Sequence, residues 1–224
     1  MSLLDAGDPT RHILHMDADL LIFNKPNRMP IYRGPGGGET LADHLPQLCF
    51  ERGKPPAAVH RLDSATSGCL VLGRHKGMRR SLSNLFAQGG VEKLYWAVVQ
   101  GRPLMDQGLI ELPLQDVGWP GRPRVKVRMG GKWGRTLFQV MGYGQNETLL
   151  ALMPQTGRTH QLRVHCAAMG CPIVGDPLYG GAACDGPPMH LHARRILLHG
   201  AIQQSFTAPA PPHLQRFLEQ MRPF

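Results

Sequence analysis

Apolar and polar residues alternate in short runs along much of the chain, which is typical of β-strands that bury one face. Apolar runs at 13–15 and 20–23 flank an Asp-Ala-Asp turn and predict a hairpin that ends at Lys25. The segment 59–72 is predicted to be a strand, a loop and a second strand. Further strands are predicted at 91–99, 109–114, 124–129, 136–141, 148–153 and 189–198.

Helical periodicity is confined to a few segments. The clearest is 76–88, where four apolar residues fall on one helical face and two glycines follow as a stop signal. Other helices are predicted at 159–169, at 212–221 and from Thr40 to about residue 48. Many short strands with few helices between them favour a largely antiparallel sheet over a βαβ array. We therefore predict an α+β fold, with a tail at 1–10 and one domain at 11–224.

The charge balance indicates that the protein binds a polyanion. The chain has 224 residues, 42% of them hydrophobic and 18% charged, as in an ordinary globular protein. Its 25 Lys+Arg against 16 Asp+Glu give a net charge of +9. Nucleic acid is the commonest partner of such an excess, and a merely basic surface is the alternative. An anionic membrane is disfavoured, because no segment joins a basic face to a long apolar one.

Cysteine usage and the N-terminus predict a cytoplasmic protein that does not enter the membrane. The five cysteines are an odd number without a Cys-x-x-Cys pair, which suits reduced thiols. Residues 1–15 lack the apolar stretch of a signal peptide, and no run reaches membrane-spanning length.

Two other site types are disfavoured by spacing. His190, His192 and Cys184 match no familiar zinc pattern, so no metal is predicted. The glycine-rich stretch 33–38 is not followed by Lys-Ser/Thr and is therefore interpreted as a flexible connection, not as a phosphate-binding loop.

A basic tract lies between residues 122 and 135 and contains no acidic residue. Its cations are Arg122, Arg124, Lys126, Arg128, Lys132 and Arg135. In a strand over 124–129, the cations project from one face and Val125, Val127 and Met129 from the other. We expect the apolar face to anchor the strand and the basic face to meet phosphates. A solvated strand face is the alternative.

A single carboxylate stands out in residues 60–68, His-Arg-Leu-Asp-Ser-Ala-Thr-Ser-Gly. Asp63 lies between an arginine and a run of small hydroxyl residues, just before an apolar strand. It either balances charge locally or acts as a nucleophile on the polyanion that the rest of the chain attracts.

Two further segments could complete such a site. Arg163 lies about one turn into the helix predicted at 159–169; if it met Asp63, its guanidinium would hold the carboxylate ionised. An ordinary surface arginine is the alternative. Lys93, Tyr95 and Ala97 share one face of a strand. A tyrosine there can stack on an unstacked base, although core packing is the commoner role of a strand tyrosine.

Together these segments resemble the RluA-type pseudouridine synthases. Residues 60–68 are similar to the family's nucleophile motif, 93–97 to its second motif and 156–165 to its third. Segments 24–26, 172–180 and 191–193 are also similar to family elements. The resemblance runs from about residue 13 to residue 200 in the family's order.

The resemblance implies a mixed, mostly antiparallel central sheet flanked by helices, with a central RNA-binding cleft. It also implies conversion of uridine to pseudouridine in RNA, without metal or organic cofactor. Asp63 would be the nucleophile, Tyr95 would stack on the target base and Arg163 would pair with Asp63. Arg61 would help to fill the space left by the flipped nucleotide. Substrate contacts are expected at His60, Arg61, Lys93, Leu162, Arg124, Lys126 and Arg128.

Several points stay open on the sequence. Asp63 could attack the ribose or the base, and either Tyr95 or Asp63 could accept the C5 proton. Asn27 and Arg28 stand where relatives usually have a small residue and glycine, so that turn is expected to differ in shape.

The target and the competing functions form the last set of expectations. No S4-type RNA-binding domain is expected before the core. Residues 112–123 and the basic strand resemble compact family members that modify 23S rRNA and tRNA stem-loops, and a monomer is expected. The alternatives are a non-catalytic RNA-binding or assembly factor on the same fold and an aspartate-dependent nuclease, which would need metal-binding carboxylates.

Overall fold

The computed structural model describes residues 4, 7–34, 37–50, 53–119, 124–180, 186–200 and 202–220, and the backbone of 222–223. The helices are α1 (Leu41–His44), α2 (Lys76–Ala87), α3 (Gln161–Ala168) and α4 (Pro212–Gln220), and short 3-10 turns lie at Pro9–His12 and Leu45–Leu48. The strands are β1 (Ile13–Met16), β2 (Leu20–Lys25), β3 (Ala57–Ala58), β4 (Ser67–Gly73), β5 (Val91–Gln100), β6 (Gln107–Asp116), β7 (Val125–Val127), β8 (Lys132–Tyr143), β9 (Glu147–Pro154), β10 (Leu191–Leu198), β11 (Gln204–Thr207) and β12 (Arg222–Pro223). The chain divides into two compact units: unit 1 is 1–92 with 193–209, and unit 2 is 93–192 with 210–224.

Unit 1 is built on the strand order β1–β2–β4–β10, with β3 on β4 and β11 on β10. β2 and β4 are antiparallel, with Lys25 opposite Gly68. β4 is buried along its whole length, which explains its unbroken apolar sequence. One face of α2 packs on this sheet through Leu82, which is fully buried together with Ile22 and Val71. The hairpin and the helix predicted for this part of the chain are confirmed.

Unit 2 is built on the order β5–β9–β8–β6–β7, with β12 on β8. β8 alternates strictly between exposed and buried positions. Its buried face lies under α3, where Val164 packs with Leu114 of β6 and Val125 of β7. α4 packs separately through Leu214 on Val98 and Leu149, and the C-terminal helix predicted at 212–221 is confirmed.

All strand pairs whose register the structure gives are antiparallel, as predicted, and the α+β class is confirmed. Four details differ. The strand predicted to begin at residue 59 lies instead at Ala57–Ala58, as β3. α3 begins at Gln161 instead of Thr159, because His160 takes a left-handed φ of 51°. Strands β11 and β12 were not predicted. The single domain at 11–224 stays a prediction, and so does the tail.

The basic strand predicted at 124–129 is the clearest error. Only Val125–Val127 are a strand. Val125 is buried, but Val127 is 44% exposed and Met129 82% exposed, so two of the three apolar side chains anchor nothing. The reason is that β7 pairs with β6 for three residues only and the chain then turns away. Arg122 and Cys184 lie outside the described residues.

No helix in the described ranges is both long and apolar enough to cross a membrane.

Candidate functional site

The loop that carries Asp63 joins β3 to β4 in unit 1. Asp63 is half-buried, and its backbone carbonyl accepts a hydrogen bond from Thr66 N at 3.0 Å, which closes a tight turn. Where the turn enters β4, Gly68 has a φ of 105°. A Cβ at this position would lie 2.3 Å from the carbonyl oxygen of Ala193, so only glycine fits. The exit of the Asp63 turn is therefore fixed by close backbone packing.

Lys25, at the end of β2, is completely buried beneath this loop. Its Nζ donates to the carbonyl oxygens of Pro26 and Met29, each at 2.8 Å, and of Ser64 at 3.0 Å. Three acceptors match the three N–H donors of an ammonium group. Burial lowers the pKa of Lys25 to about 7, while the negative charge of Asp63 acts in the opposite direction. In its ammonium form Lys25 places a positive charge under the loop and holds the carbonyl next to Asp63.

Asn27 continues this bracing one residue further along the loop. Its side-chain nitrogen donates to the carbonyl oxygen of Ala65. The neighbouring Arg28 has a φ of 65°, the left-handed conformation that glycine favours. Arg28 therefore adopts a backbone conformation that is strained for a residue with a Cβ; the expected difference in the shape of this turn stays a prediction.

His60 and Arg61, which precede Asp63, differ in environment. His60 accepts the backbone N–H of Val71 at Nε2 over 2.9 Å, and its ring stacks on Phe86 at a centroid distance of 4.5 Å. An acceptor nitrogen requires an unprotonated Nε2, so these contacts fit a neutral ring with its hydrogen on Nδ1. Arg61 is exposed. The substrate contacts expected of both residues stay predictions.

In unit 2, Arg163 of α3 forms a buried two-pronged ion pair with Asp176. Nε donates to Oδ2 and Nη2 to Oδ1, each at 2.8 Å. Burial alone would raise the pKa of Asp176, but Arg163 and the backbone N–H groups of Leu178 and Tyr179 hold it below its usual range. The guanidinium carbon also lies 5.2 Å from the centre of the Tyr179 ring. The direction of the Arg163 side chain is therefore fixed by unit 2 itself.

Tyr179 connects this pair to its surroundings. Its hydroxyl accepts the backbone N–H of Val125 at 2.8 Å and lies 2.9 Å from Nδ1 of His160. Gln161 fixes the start of α3: its side chain donates to Arg135 O and Thr136 Oγ1, and accepts from the backbone N–H of Arg158. The third motif, residues 156–165, thus fixes the start of the helix that carries Arg163 through these hydrogen bonds.

The other predicted residues of unit 2 lie where the sequence placed them on their elements. Tyr95 is half-buried on β5, opposite Leu152 of β9. Burial lowers the pKa of Lys93 on the same strand. Leu162 is buried. The base-stacking and substrate-contact roles of these three residues stay predictions, as does the pairing of Arg163 with Asp63.

The cations of the basic tract are exposed along β7 and the start of β8. Arg124, Lys126 and Arg128 all face solvent. Arg135, further along, pairs with Glu111 across the strands at 3.3 Å. The tract lacks acidic residues in sequence, but the fold brings one to its end.

Two residues that shape these sites were not singled out by sequence. Asp176 lies 13 residues after Arg163, inside the segment 172–180 that resembled the family without a stated role. Lys25 lies in the segment 24–26 in the same way. A charged residue within an otherwise apolar or glycine-flanked segment was the available signal for both.

Comparison with known proteins identifies the family. Residues 19–168 match the family described as RNA pseudouridylate synthase. The chain is 40% identical over 204 residues to an uncharacterised RNA pseudouridine synthase of Zymomonas mobilis, covering 90% of this chain and 93% of that one. It is 38% identical over 210 residues to the dual-specificity RNA pseudouridine synthase RluA of Escherichia coli K12, covering 91% and 94%. The solved structure of human RNA pseudouridylate synthase domain containing 4 superposes with a TM-score of 0.81 at 28% identity, covering 96% of each chain.

The chain belongs to the RNA pseudouridine synthase family, and to its RluA branch. It is an isomerase that acts on RNA.

Proposed function

We propose that this enzyme isomerises uridines in stem-loops of 23S rRNA, tRNA or both, with Asp63 as the nucleophile. The observation that carries the proposal is the bracing of the Asp63 loop by the buried Lys25 and by Gly68. Holding this loop requires a buried lysine and a position where only glycine fits. Such a fixed loop suits a residue whose exact position matters for the reaction. The Escherichia coli relative is named a dual-specificity RNA pseudouridine synthase, which supports a substrate choice that includes more than one RNA.

The reaction is an isomerisation whose atoms balance without a co-reactant. The uracil first leaves the base stack, since no side chain reaches it inside a helix. The N1–C1′ bond breaks, the base turns, and a C5–C1′ bond forms. The C5 proton then leaves and N1 gains a proton. Asp63 bonds covalently and is released again within these steps. At ribose C1′ the carboxylate would displace N1 and leave when C5 attacks C1′; at the base it would add to the ring and be eliminated before product release. Tyr95 or Asp63 accepts the C5 proton.

Arg163 is assigned the role of keeping Asp63 ionised. A guanidinium has five N–H donors, and the bonds to Asp176 use two of them, so a second carboxylate is compatible with the first. A neighbouring positive charge lowers the pKa of a carboxyl group and favours the anion that a nucleophile needs. In this proposal Asp176 is a positioning residue that acts through Arg163.

RNA binding is assigned to the exposed cations and to the residues around the two motifs. Arg124, Lys126 and Arg128 would meet phosphates, Arg61 would fill the space of the flipped nucleotide, and Tyr95 would stack on the target base. His60, Lys93 and Leu162 complete the proposed contacts. We expect a monomeric cytoplasmic enzyme that requires neither metal nor organic cofactor.

Asp63→Asn tests the proposal directly. The substitution keeps the size of the side chain and removes its charge, so release of tritium from RNA labelled at uridine C5 should be abolished. RNA affinity should stay within about threefold, because the substitution leaves the exposed cations that are proposed to bind phosphates unchanged. The exposed Glu219→Gln on α4 serves as the control and should be fully active.

Other results of these assays would contradict the proposal. Activity of Asp63→Asn would refute the assignment of the nucleophile. Tight RNA binding by the wild-type chain without tritium release would favour the non-catalytic RNA-binding factor, and EDTA-sensitive RNA cleavage would favour the nuclease.

A further inference from the structure

One face of the unit 2 sheet is open to solvent and carries an unusual side chain. α3 covers the other face, where a Cβ on Gly134 would lie 3.1 Å from His165 Nε2. On the open face of β8, the exposed positions are Trp133, Arg135, Leu137, Gln139 and Met141. Trp133 is 53% exposed. Exposing a large indole in water costs free energy, which is recovered when a partner covers it.

The position of Trp133 is fixed by the backbone around it. β7 and β8 flank β6, so the turn 128–131 has to cross β6 between them. A Cβ on Gly131 would lie 2.6 Å from the backbone carbon of Leu114, which shows how closely the turn is pressed onto β6. On the other side, Arg158 Nε donates to the carbonyl oxygen of Trp133 at 3.1 Å. The backbone at the start of β8 is thus held on both sides, and this fixes where the exposed indole lies.

The charges around Trp133 have one sign. Four exposed cations lie near Trp133 in the chain or are bonded to it: Arg128 on the preceding turn, Lys132 and Arg135 on β8 itself, and Arg158 in the loop bonded to its carbonyl oxygen. The neighbouring carboxylate on this face, Glu111, is already paired with Arg135 at 3.3 Å. An exposed aromatic ring on a strand with several exposed cations nearby fits a nucleobase with its phosphates, since every base has a π face and every nucleotide a negative charge.

We propose that Trp133 is a stacking platform for an unpaired base of the RNA substrate, outside the uridine that reacts. The inference rests on the proposed function, because it takes the partner to be the RNA that is modified. Trp133 and the helix carrying Arg163 lie on opposite faces of the same sheet in unit 2, so one nucleotide cannot meet both. The platform binds a flanking nucleotide and selects RNAs with an accessible unpaired base.

Charge complementarity favours RNA over a protein partner at this face. A protein-docking surface has a core depleted of charges, with aromatic and apolar side chains together. Here exposed cations lie on the turn before Trp133, two residues further along its strand and at its carbonyl oxygen. The apolar pair Leu109 and Leu137 lies further along the strands, beyond the Glu111–Arg135 pair.

The test compares Trp133→Ala, Trp133→Phe and Leu137→Ala in the full chain. The probes are a fluorescently labelled RNA stem-loop with unpaired loop bases and a fully paired RNA duplex of the same length. Trp133→Ala should weaken stem-loop binding about 5- to 100-fold and leave duplex binding unchanged. Trp133→Phe should restore binding to within about threefold. In turnover with the stem-loop, Trp133→Ala should raise KM and leave kcat unchanged.

Three results would overturn the platform: unchanged stem-loop affinity of Trp133→Ala, equal weakening for stem-loop and duplex, or an equal loss in Leu137→Ala. The last result would instead indicate an apolar docking surface. The binding assay needs no turnover, so the platform can fail while Asp63 stands. In the same way, Asp63→Asn can remain active while the loss of binding in Trp133→Ala persists.

Discussion

The loop of Asp63 and the helix of Arg163 are fixed by different means. In unit 1 the backbone is held: a buried ammonium group binds three carbonyl oxygens and a glycine packs against a neighbouring strand. In unit 2 the side chain is held: a buried carboxylate binds two guanidinium nitrogens and two backbone N–H groups.

The difference follows from the length of the two side chains. Asp63 has two rotatable side-chain bonds, so a fixed backbone leaves its carboxylate little freedom. Arginine has a long flexible stem and loses up to about 2 kcal/mol of rotamer entropy when ordered, so its end has to be bound directly. Substitution of Lys25 should therefore affect mainly the backbone of the Asp63 loop, and substitution of Asp176 mainly the direction of the Arg163 side chain.

The largest effect is expected from Asp176→Asn. Breaking a buried ion pair leaves an uncompensated charge, so the free energy of unfolding should fall by about 3–5 kcal/mol. Below the unfolding temperature kcat should fall about 100-fold with little change in KM, because Arg163 is misdirected and RNA binding is intact. Urea denaturation and steady-state kinetics measure the two effects.

Glu111→Gln is the matched control, since it removes the carboxylate from an exposed pair with Arg135. Exposed pairs contribute under about 1 kcal/mol, so both stability and kcat should be nearly unchanged. If Asp176→Asn behaved like this control, the brace in unit 2 would have no bearing on catalysis.

Lys25→Met should have a smaller effect that acts on the backbone. Three carbonyl oxygens lose a charged donor, and the free energy of unfolding should fall by about 1–3 kcal/mol. The Thr66 amide, which bonds to Asp63 O, should exchange its hydrogen faster, as measured by hydrogen-exchange NMR. Asp176→Asn should leave this amide protected under native conditions.

The exposed Lys76 at the start of α2 provides the control Lys76→Met, for which no change is expected. An unaltered exchange rate of Thr66 in Lys25→Met would contradict the assignment of Lys25 as the brace of the loop.

The effect that is smallest near neutral pH concerns His165, which is buried in α3 and bonded to Thr136 Oγ1 at 3.0 Å. Burial lowers its pKa from 6.5 to about 4. Between these values the unfolded chain takes up a proton that the folded chain excludes, so stability should decline as the pH falls from about 6.5 to about 4. His165→Gln should reduce the slope of this part of the stability profile without removing it, because burial also lowers the pKa of His213 to about 4. His199→Gln, at a partly exposed position, should retain the full slope.

The parts of the fold that the sequence predicted are those with local causes. α2 and β5 carry their own periodicity and stop signals, so their bounds follow closely from the chain. The start of α3 was missed because Gln161 bonds to Arg135 and Thr136, 25 or more residues away, and this fixes where the helix begins. The strand Gln204–Thr207 was missed because most of its residues are exposed and show no alternation.

The residues of the candidate site also fall into those that the sequence predicted and those that it did not. Asp63, Tyr95 and Arg163 could be picked out because each lies in a motif with a recognisable residue pattern. Their supporting groups could not, since Lys25 and Asp176 act through contacts that only the folded chain creates. The failure of Val127 and Met129 to anchor β7 has the same origin: alternation predicts a face, but only pairing partners decide how far a strand extends.

The contact of Gly68 with Ala193 has a consequence for how the protein is made. Next to it, the thiol of Cys69 lies 3.8 Å from the carbonyl oxygen of Arg194, 125 residues further along the chain. At about 5–20 residues per second of synthesis, the ribosome needs about 6–25 seconds to supply that partner. During this interval the segment that contains the nucleophile is exposed in the nascent chain with one strand edge unpaired. Unit 1 therefore cannot complete its sheet until residue 207 has been translated, and its early part is the stretch that a chaperone would have to shield.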